Sequence, residues 1–350
     1  MSKAGLYIHF PFCRRACFYC HFFKKKFKPD LVDECLRLIK LEMELRRDPG
    51  LAVDSVYIGG GSPSLLSAGQ VSGLLEGAAK NFRADRKSEI TLEANPEDLG
   101  IALLKELRAA GVNRLSIGAQ SFREDDLRFL RRTHDAVQAI RAVEISREAG
   151  FANVSVDLII GLPTQTKRSM ELNFRMVEAL RPSHVSVYIL EGVLRPETDD
   201  RDTRHYFLAR QALRDLGFEH YEVSNFCRPG KASRHNLKYW RLAPYIGIGP
   251  SAAGYLNGAD YRNVSALDRY AAAVTKGKLP LLKTRPLDPA KRRIITGLRL
   301  LAGIPSPAFA AFPSETAFLL REGFLVRSGH NIAVPAQKIL LLNEVLGYYI

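Results

Sequence analysis

Three of the chain's five cysteines fall within eight positions of the sequence, in the segment CRRACFYC. These residues, Cys13, Cys17 and Cys20, follow the apolar stretch GLYIHF, which has the composition of a buried strand. The fold must therefore bring three thiols together in one loop at the end of a strand. Their C-x3-C-x2-C spacing supplies three thiolates to a metal centre and leaves it one protein ligand short.

The length and composition are those of an ordinary globular protein. With 350 residues, 46% hydrophobic and 25% charged, the chain suggests one large domain, alone or with a small appendage. No apolar run approaches the about 18 to 20 residues that span a bilayer, and no signal-peptide pattern is present. We therefore expect a cytoplasmic protein, in which a cysteine cluster more often binds metal than forms disulfides.

The chain carries a formal net charge of +14. A field of that sign attracts phosphates, carboxylates, nucleic acid or anionic lipid without selecting among them. A basic run, Lys24, Lys25, Lys26 and Lys28, follows the third cysteine. It either guides an anionic partner or a reductant toward the cysteines or is a solvated loop of an already basic protein.

Short β-rich apolar runs alternate with longer amphipathic stretches. The runs are GLYIHF, SVYIGGG, EITLEAN, RLSIGAQ, NVSVDLIIGLP and HVSVYILE. Apolar positions at three-and-four spacing predict helices over residues 31–47, 97–110, 135–149, 167–180 and 203–217. Six such units predict an α/β fold with a parallel sheet, because each crossover returns the chain in the same direction.

Polar or glycine residues lie at or just beyond the carboxyl ends of these runs. In parallel α/β proteins this edge of the sheet binds ligands, so we expect these residues and the cysteine loop on one rim. They are Gly59 to Gly61, Glu93, Asn95, Gln120, Asp157 and Glu191.

The β/α repeat fails after about residue 226. A loop rich in Pro, Gly and Ser leads through HNLKYW to YIGIGPSAAG, a helix near 265–276 and the connector KLPLLKTRPLDP. The remainder predicts helices, a hairpin in GFLVRSGHNIAVP and a final helix over 335–348, as in a small winged-helix-like α+β domain. The predicted domains are a core over 1–225, a connecting segment over 226–285 and an accessory domain over 286–350.

The cysteine cluster suits iron and sulfur. Iron-sulfur clusters use thiolate ligands, and four cysteines complete a 4Fe-4S cluster, so three leave one iron open to a small molecule. Zinc sites usually carry a second C-x-x-C or a histidine pair, and Cys35 and Cys227 lie in no such motif. The alternatives are a zinc site, three unrelated thiols, or His21 as a fourth ligand.

The segment resembles the cluster motif of the radical S-adenosylmethionine (SAM) superfamily. In that superfamily C-x3-C-x2-C holds a 4Fe-4S cluster whose open iron binds the amino and carboxylate groups of SAM. Electron transfer then cleaves SAM to methionine and a 5′-deoxyadenosyl radical. The resemblance implies that Cys13, Cys17 and Cys20 bind the cluster, and that the fold is a partial parallel (β/α)6 barrel with the small winged-helix-like domain.

Further residues match cofactor-binding positions of the superfamily. GGGSP resembles its glycine-rich segment, whose bare backbone approaches the methionine ammonium group. Acidic side chains accept from ribose hydroxyls, and an arginine forks onto a carboxylate. For each residue taken singly, a rim salt bridge is the alternative. The resemblance assigns SAM contacts to Tyr7, Gly60, Gly61, Ser62, Glu93, Gln120, Arg132 and Asp157.

Within the superfamily the chain is most similar to the HemN/HemW group. The similarity lies in LYIHFPFCRRACFYC, GGGSPSLL, SIGAQSF, VDLIIGLPTQT and YIGIGPSAAGY and runs nearly the whole length. HemN members are oxygen-independent coproporphyrinogen III dehydrogenases, whereas HemW members are haem chaperones. HemN enzymes carry a further cysteine where this chain has Phe22, and a longer segment before the cluster. Both differences favour a HemW-type chaperone.

The motif H-N-x-x-Y-W, which marks HemW proteins, is present as HNLKYW and contains the chain's only tryptophan. An imidazole binds haem iron axially and aromatic rings pack on a macrocycle, so His235 is a candidate haem ligand beside Tyr239 and Trp240. Alternatively, His235 and Asn236 cap backbone groups while Trp240 anchors the accessory segment. Cys227 is another haem-reactive candidate. Cations that would meet haem propionates are Arg228, Lys231, Arg234 and Lys238.

The resemblance predicts a haem chaperone that carries haem as cargo to respiratory haem proteins, with a 4Fe-4S cluster and SAM as cofactors. A reductant such as flavodoxin or ferredoxin is an expected partner; a homodimer, a peripheral membrane contact and SAM cleavage stay open. The first alternative is a coproporphyrinogen III dehydrogenase on the shared scaffold. An RNA-modifying or nucleic-acid-binding protein is weaker, because no aromatic-basic RNA motif accompanies the charge, and nucleic acid is not an expected partner.

Overall fold

The apolar runs form strands and the amphipathic stretches form helices in the computed structural model, which describes residues 3–190, 200–282 and 287–350. Glu191, predicted on the rim, lies outside the described residues. The strands are β1 (Ala4–Phe10), β2 (Phe12–Cys13), β3 (Lys25–Lys26), β4 (Asp48–Gly60), β5 (Phe82–Ala94), β6 (Arg114–Gln120), β7 (Val154–Ile160), β8 (His184–Ile189), β9 (Glu219–Glu222), β10 (Asn225–Cys227), β11 (Tyr245–Ile248), β12 (Ala253–Leu256), β13 (Ala259–Asn263), β14 (Leu281–Leu282), β15 (Ile304–Pro305), β16 (Val326–Ser328) and β17 (Asn331–Ala333). The helices are α1 (Pro29–Leu45), α2 (Ala68–Asn81), α3 (Ile101–Ala109), α4 (Glu124–Phe129), α5 (Ala136–Glu148), α6 (Lys167–Leu180), α7 (Arg201–Asp215), α8 (Arg234–Trp240), α9 (Leu267–Thr275), α10 (Pro289–Gly297), α11 (Pro313–Arg321) and α12 (Leu342–Gly347). Single turns of 3-10 helix cover Pro63–Leu65, Pro96–Asp98, Ser306–Phe309 and Ile339–Leu341.

Six neighbouring parallel strands form the centre of a twelve-stranded sheet. Their order is β1, β4, β5, β6, β7 and β8. The strands β11 to β14 continue the sheet beyond β1, and β10 and β9 continue it beyond β8. In the described part of the chain β1 and β8 do not pair, so the barrel is partial. This arrangement confirms the predicted α/β fold of six β/α units.

The parallel strands carry apolar side chains on one face and polar side chains on the other. In β1, Leu6, Ile8 and Phe10 are fully buried in the core that the helices share, whereas Tyr7 and His9 point to the opposite face. The strand register continues this polar face across the sheet. It comprises Ser55, Tyr57, Thr91, Glu93, Arg114, Ser116, Ser155, Asp157, His184 and Ser186, together with Tyr7 and His9.

The predicted connecting segment contributes strands to the same sheet, which the sequence pattern did not indicate. The strand β11 pairs in parallel with β1, with Gly247 opposite Tyr7, and β12 to β14 follow as antiparallel strands. Only glycine fits at position 247, because a Cβ atom there would lie 2.0 Å from the carbonyl oxygen of Ala253. The domain limits at residues 225 and 285 stay a prediction.

The C-terminal residues form the small α+β unit that the sequence predicts. The strands β15, β17 and β16 make an antiparallel sheet in that order, and β16 and β17 are the predicted hairpin. An isolated bridge between Glu222 and Leu300 joins this unit to the edge of the main sheet. None of the helices in the described ranges has the length and apolar content needed to cross a membrane.

The buried carboxylate of Glu42 in α1 accepts hydrogen bonds from residues of β13 and α9. Glu42 is fully buried and accepts hydrogen bonds from Asn263 Nδ2 at 2.8 Å, the Gly249 amide at 2.8 Å and the Tyr270 hydroxyl at 2.7 Å. Its charge is paired with Arg46 at 2.8 Å. Because both carboxylate oxygens have partners, this burial is compatible with a stable fold.

Replacing Glu42 by alanine should lower the free energy of unfolding by about 3–5 kcal/mol, because Arg46 then stays buried without its partner. Urea unfolding followed by circular dichroism measures the change. Glu44→Ala on the same helix is the matched control: Glu44 pairs with Lys80 but is half exposed, so its loss should cost less than about 1 kcal/mol. Equal effects of the two variants would contradict the stabilising role of Glu42.

Candidate functional site

A cavity of about 500 Å³ opens at the carboxyl ends of the parallel strands. Cavities at this edge are typical ligand sites of parallel α/β proteins. The cavity brings together every residue predicted for the site except Tyr7 and His235. Those lining it are Cys13, Cys17, Cys20, Gly60, Gly61, Ser62, Glu93, Gln120, Arg132 and Asp157.

The three thiols lie in a loop whose ends are joined by backbone pairing. The strands β2 and β3 form a short parallel ribbon that sets Cys13 opposite Lys26, and the Phe27 amide donates to the Cys13 carbonyl at 2.8 Å. All three cysteines are free and partly exposed. Among the described residues no three His, Cys, Asp or Glu side chains are arranged around a single metal ion. The thiolates of a 4Fe-4S cluster bind different irons and so do not converge on one point.

Asn95 links two of the thiols through polar side chains. Its Nδ2 donates to Ser62 Oγ at 2.9 Å, and its Oδ1 accepts from Arg132 Nη2 at 2.7 Å. Arg132 Nη1 lies 3.5 Å from Cys17 Sγ. Burial raises the pKa of the Cys13 thiol, and the hydrogen bond that Ser62 gives it acts in the opposite direction. One amide therefore orients a donor on each of two thiols.

Asn95→Ala should weaken the hold of this loop on an iron-sulfur cluster, because donors to two ligand sulfurs lose their orientation. Mutating a residue that orients metal ligands through hydrogen bonds typically lowers metal affinity about 10–100-fold. We therefore expect iron loss to a chelator to accelerate by about tenfold or more. Iron content and cluster absorbance after anaerobic reconstitution measure this. Asn81→Ala is the control, since Asn81 is also buried but bonds to the Gly77 carbonyl in α2. Wild-type retention in Asn95→Ala would contradict the linking role.

The glycine-rich segment packs backbone to backbone against the start of the cysteine loop. Gly60 has a φ of +107°, and a Cβ atom there would lie 2.4 Å from Cε1 of His9. A Cβ atom on Gly61 would lie 2.4 Å from the carbonyl oxygen of Phe12. The Ser62 amide donates to that same carbonyl at 2.8 Å. The segment thus fixes the position of the loop relative to β4.

Two carboxylates touch the cavity and are otherwise buried. Glu93 accepts from the Tyr57 hydroxyl at 2.8 Å and the Gly60 amide at 3.0 Å. Burial raises the pKa of Glu93 to about 7. Asp157 accepts from the Ser116 hydroxyl at 3.2 Å, and burial raises its pKa as well. Glu93 therefore changes its charge near neutral pH.

Gln120 lines the cavity in an uncommon backbone conformation. Its φ is +64°, and the pairing of β6 with β7 is irregular between Ile117 and Gln120. Residues other than glycine seldom adopt this conformation, and such strain concentrates at functional sites. The irregularity ends β6 at the point where the Gln120 side chain meets the cavity.

Tyr7 belongs to the polar face next to the cavity and does not line it. Its hydroxyl donates to His9 Nδ1 at 2.9 Å, and His9 Nε2 donates to the Phe23 carbonyl at 2.9 Å. The carbonyl fixes the tautomer, because only a protonated Nε2 can donate to it. Burial lowers the pKa of His9 and so favours the neutral ring. Tyr7 thereby connects to the far part of the cysteine loop, and its contact with SAM stays a prediction.

His235 is fully buried in α8 and differs from the accessible ligand that the sequence suggested. Its Nδ1 lies 3.0 Å from Ser55 Oγ, and its Nε2 lies 2.8 Å from the Tyr239 hydroxyl. Burial lowers the pKa of His235 to about 3. Sequence reasoning identifies an imidazole but carries no information on its burial. A haem-ligand role stays a prediction, and it requires one of these two hydrogen bonds to be replaced by the bond to iron.

The cations expected around the motif are in part engaged within the protein. Lys238 is buried and pairs with Asp54 at 2.6 Å. The Arg228 guanidinium stacks 4.2 Å from the Phe218 ring. The tryptophan of the motif faces the C-terminal unit, where Arg299 lies 5.3 Å from its ring. This contact is the one that an anchoring role for Trp240 requires.

Comparisons with known proteins give the family. Residues 7–177 match the model of the radical SAM superfamily. A Bacillus subtilis (strain 168) protein named heme chaperone HemW is 32% identical over 372 aligned positions, covering 98% of this chain and 98% of that protein. The chain belongs to the HemW family of radical SAM proteins. The HemW of Lactococcus lactis is 35% identical over 85% of this chain and 82% of its own length.

A solved structure agrees with this HemW assignment in fold. The coproporphyrinogen III oxidase HemN from Escherichia coli, a radical SAM enzyme, superposes with a TM-score of 0.83 at 25% identity. The match covers 99% of this chain and 90% of that chain. The common fold therefore includes the C-terminal unit as well as the barrel.

Membership in the radical SAM superfamily implies a 4Fe-4S cluster and SAM. The residues fit these groups: three free thiols and two carboxylates surround one cavity. The Nε atom of Arg132 is buried and has no hydrogen-bond partner within the described protein. An unpaired guanidinium donor of this kind suits a bound carboxylate.

Two residues of the HemW site were not assigned a role from sequence. Asn95 was expected on the rim but without partners, and Tyr57, the donor to Glu93, was not identified. A period-2 pattern along SVYIGGG sets Tyr57 on the face of Gly59. The hydrogen bonds of Asn95 depend on the relative positions of three loops. A local sequence pattern carries no information on those positions.

Proposed function

We propose that this chain is a haem chaperone that binds haem and delivers it to respiratory haem proteins, with a 4Fe-4S cluster and a SAM site in its barrel. The observation that carries the proposal is the 32% identity to a heme chaperone HemW across nearly the whole of both chains. The HemN likeness makes coproporphyrinogen III oxidation the second candidate. It has less support, because HemN is 25% identical.

In this proposal Cys13, Cys17 and Cys20 would hold the 4Fe-4S cluster, and the cavity that they line would hold SAM beside it. The cluster, when present, supplies the electron for reductive cleavage of SAM. The protein orients two of the thiols through the hydrogen bonds of Asn95. Carbonyl oxygens of the GGGSP segment would accept hydrogen bonds from the N–H groups of the SAM amino group. The family resemblance assigns further SAM contacts to Tyr7, which does not line the cavity, and to the lining residues Gly60, Gly61, Ser62, Glu93, Gln120, Arg132 and Asp157.

Glu93 should make SAM binding depend on pH. Burial raises its pKa to about 7, and the ionised form accepts more strongly from ribose hydroxyls because both of its oxygens are free of a proton and share the negative charge. A ligand that bonds to the anion lowers this pKa, so SAM affinity should rise between about pH 6 and pH 8. Equilibrium dialysis of SAM against reconstituted protein measures the profile.

The Glu93→Gln variant should bind SAM more weakly and with a flatter pH profile. Asp157 and Arg114 also face Glu93 and act on its pKa in opposite directions. Glu97→Gln serves as the control: hydrogen bonds from His134 and Thr133 outweigh burial and hold the pKa of Glu97 at about 2, so it stays ionised throughout. A rising profile that persists in Glu93→Gln would remove Glu93 from the SAM site.

Haemin titration tests the chaperone function. The wild-type protein should give a saturable change in the Soret band, because a chaperone must bind its cargo. A variant with Cys13→Ser, Cys17→Ser and Cys20→Ser separates haem absorbance from that of the iron-sulfur cluster. Absence of a Soret change would overturn the proposal. Formation of protoporphyrinogen from coproporphyrinogen III in an anaerobic assay with SAM and reductant would favour the HemN-type reaction.

A reductant of the flavodoxin or ferredoxin class, a homodimer and a peripheral membrane contact belong to the proposal as predictions of family resemblance. The positive charge of the basic run after the cysteines is the property of that run that favours an anionic partner. Within that run Lys24 donates to the Cys20 carbonyl, and Lys25 stacks 5.8 Å from the Phe23 ring. These contacts do not separate that proposal from its alternative, a solvated loop of an already basic protein.

A further inference from the structure

The HNLKYW helix contacts several separate parts of the fold. The His235 amide donates to Glu89 at 3.2 Å in β5, and its ring bonds to Ser55 in β4. Tyr239 packs edge-on against Tyr245 in β11 at 4.7 Å. Gly5 in β1 admits the helix, because a Cβ atom there would lie 2.9 Å from His235. The helix thus packs beneath the polar face of the sheet.

A short series of contacts runs from His235 to the cofactor cavity. The His235 ring lies 5.3 Å from the Tyr57 ring and 6.4 Å from the Tyr7 ring. The Tyr57 hydroxyl donates to Glu93 at 2.8 Å, and the Tyr7 hydroxyl donates to His9. The aromatic rings that contact His235 therefore carry the hydroxyl groups that hold Glu93 and the cysteine loop.

We propose that the HNLKYW helix is a positioning element of the SAM cavity, in which His235 supports Tyr57 and Tyr7 and thereby fixes the Glu93 carboxylate. The inference rests on the proposed role of Glu93 in SAM binding, and it assigns the motif a function other than axial ligation of haem. His235 does not line the cavity and is a positioning residue.

The bonding of His235 suits support of this kind. A neutral imidazole has one donor and one acceptor nitrogen, and both lie within hydrogen-bond distance of hydroxyl groups. Burial, and after it the nearby cations Lys238 and Arg114, lowers the pKa of His235 and favours the neutral ring. Axial ligation would need a free nitrogen and room for a macrocycle beside a ring that is fully buried.

The test compares SAM affinity in reconstituted variants by equilibrium dialysis. His235→Ala opens a cavity under Tyr57 and Tyr7, and we expect SAM to bind about tenfold or more weakly, within the range of typical coupling between sites. His235→Gln keeps an amide that can bond to Ser55 and Tyr239, so it should restore most of the affinity.

His220→Ala is the matched control for general destabilisation. His220 is a partly buried histidine of the same sheet, stacked on Phe226 at 4.1 Å and within hydrogen-bond distance of the Tyr206 hydroxyl. Neither of these neighbours lines the cavity. Urea unfolding identifies variants of comparable stability, and His220→Ala should keep wild-type SAM affinity.

A double-mutant cycle locates the coupling. Tyr57→Phe keeps the ring on His235 but loses the hydrogen bond to Glu93, so it should weaken SAM binding by itself. Combined with His235→Ala it should add little further loss, because both changes release the same carboxylate. Fully additive losses would overturn the route through Tyr57.

Haemin titration of the same variants separates this inference from the proposed function. We expect the Soret change of the wild type to persist in His235→Ala while SAM affinity falls. Loss of the Soret change with unaltered SAM affinity in the folded variant would overturn the inference and favour axial ligation. A wild type that binds no haem, with the SAM losses still present, would overturn the chaperone function and leave the positioning role supported.

Discussion

The structure depends on burying a polar face of a parallel sheet. Parallel sheets in α/β proteins are usually apolar on both faces, but here one face carries hydroxyl, imidazole, carboxyl and guanidinium groups. A buried polar group without a partner costs about 1–3 kcal/mol, and within the described part of this face Thr91 Oγ1 and Arg114 Nε are two such atoms. His184 illustrates the solution: its two ring nitrogens lie 2.8 Å from Ser155 and 2.8 Å from Tyr221. Hydrogen bonds within the polar face stabilise the fold, and some of them, such as the bond from Tyr57 to Glu93, also orient residues of the cavity.

That constraint explains how much of the site could be predicted from sequence. The apolar half of each strand gives a local period-2 signal, and glycine or acidic residues at strand ends mark the rim. Glu93, Asp157 and the GGGSP segment could therefore be assigned to the rim from the residue pattern alone. Their prediction needed only the direction of the strands.

Residues whose roles depend on packing between distant segments could not be predicted in this way. Asn95 acts through Ser62 and Arg132, which come from separate loops. The burial of His235 depends on Gly5, 230 positions earlier in the sequence. The extension of the sheet by β11 likewise requires β1 as a neighbour, and its short YIGI run gives no signal of that pairing.

The ribbon of β2 and β3 has a consequence for how the protein matures. The Lys25 amide donates to the Pro11 carbonyl at 2.6 Å, and the Phe27 amide to the Cys13 carbonyl, so the loop is closed without help from any sulfur. These backbone hydrogen bonds therefore offset part of the entropic cost of closing the loop. Many small metal domains fold only as the metal arrives. In this chain backbone hydrogen bonds already join the two ends of the cysteine loop, so ligation by sulfur is not needed to bring those ends together.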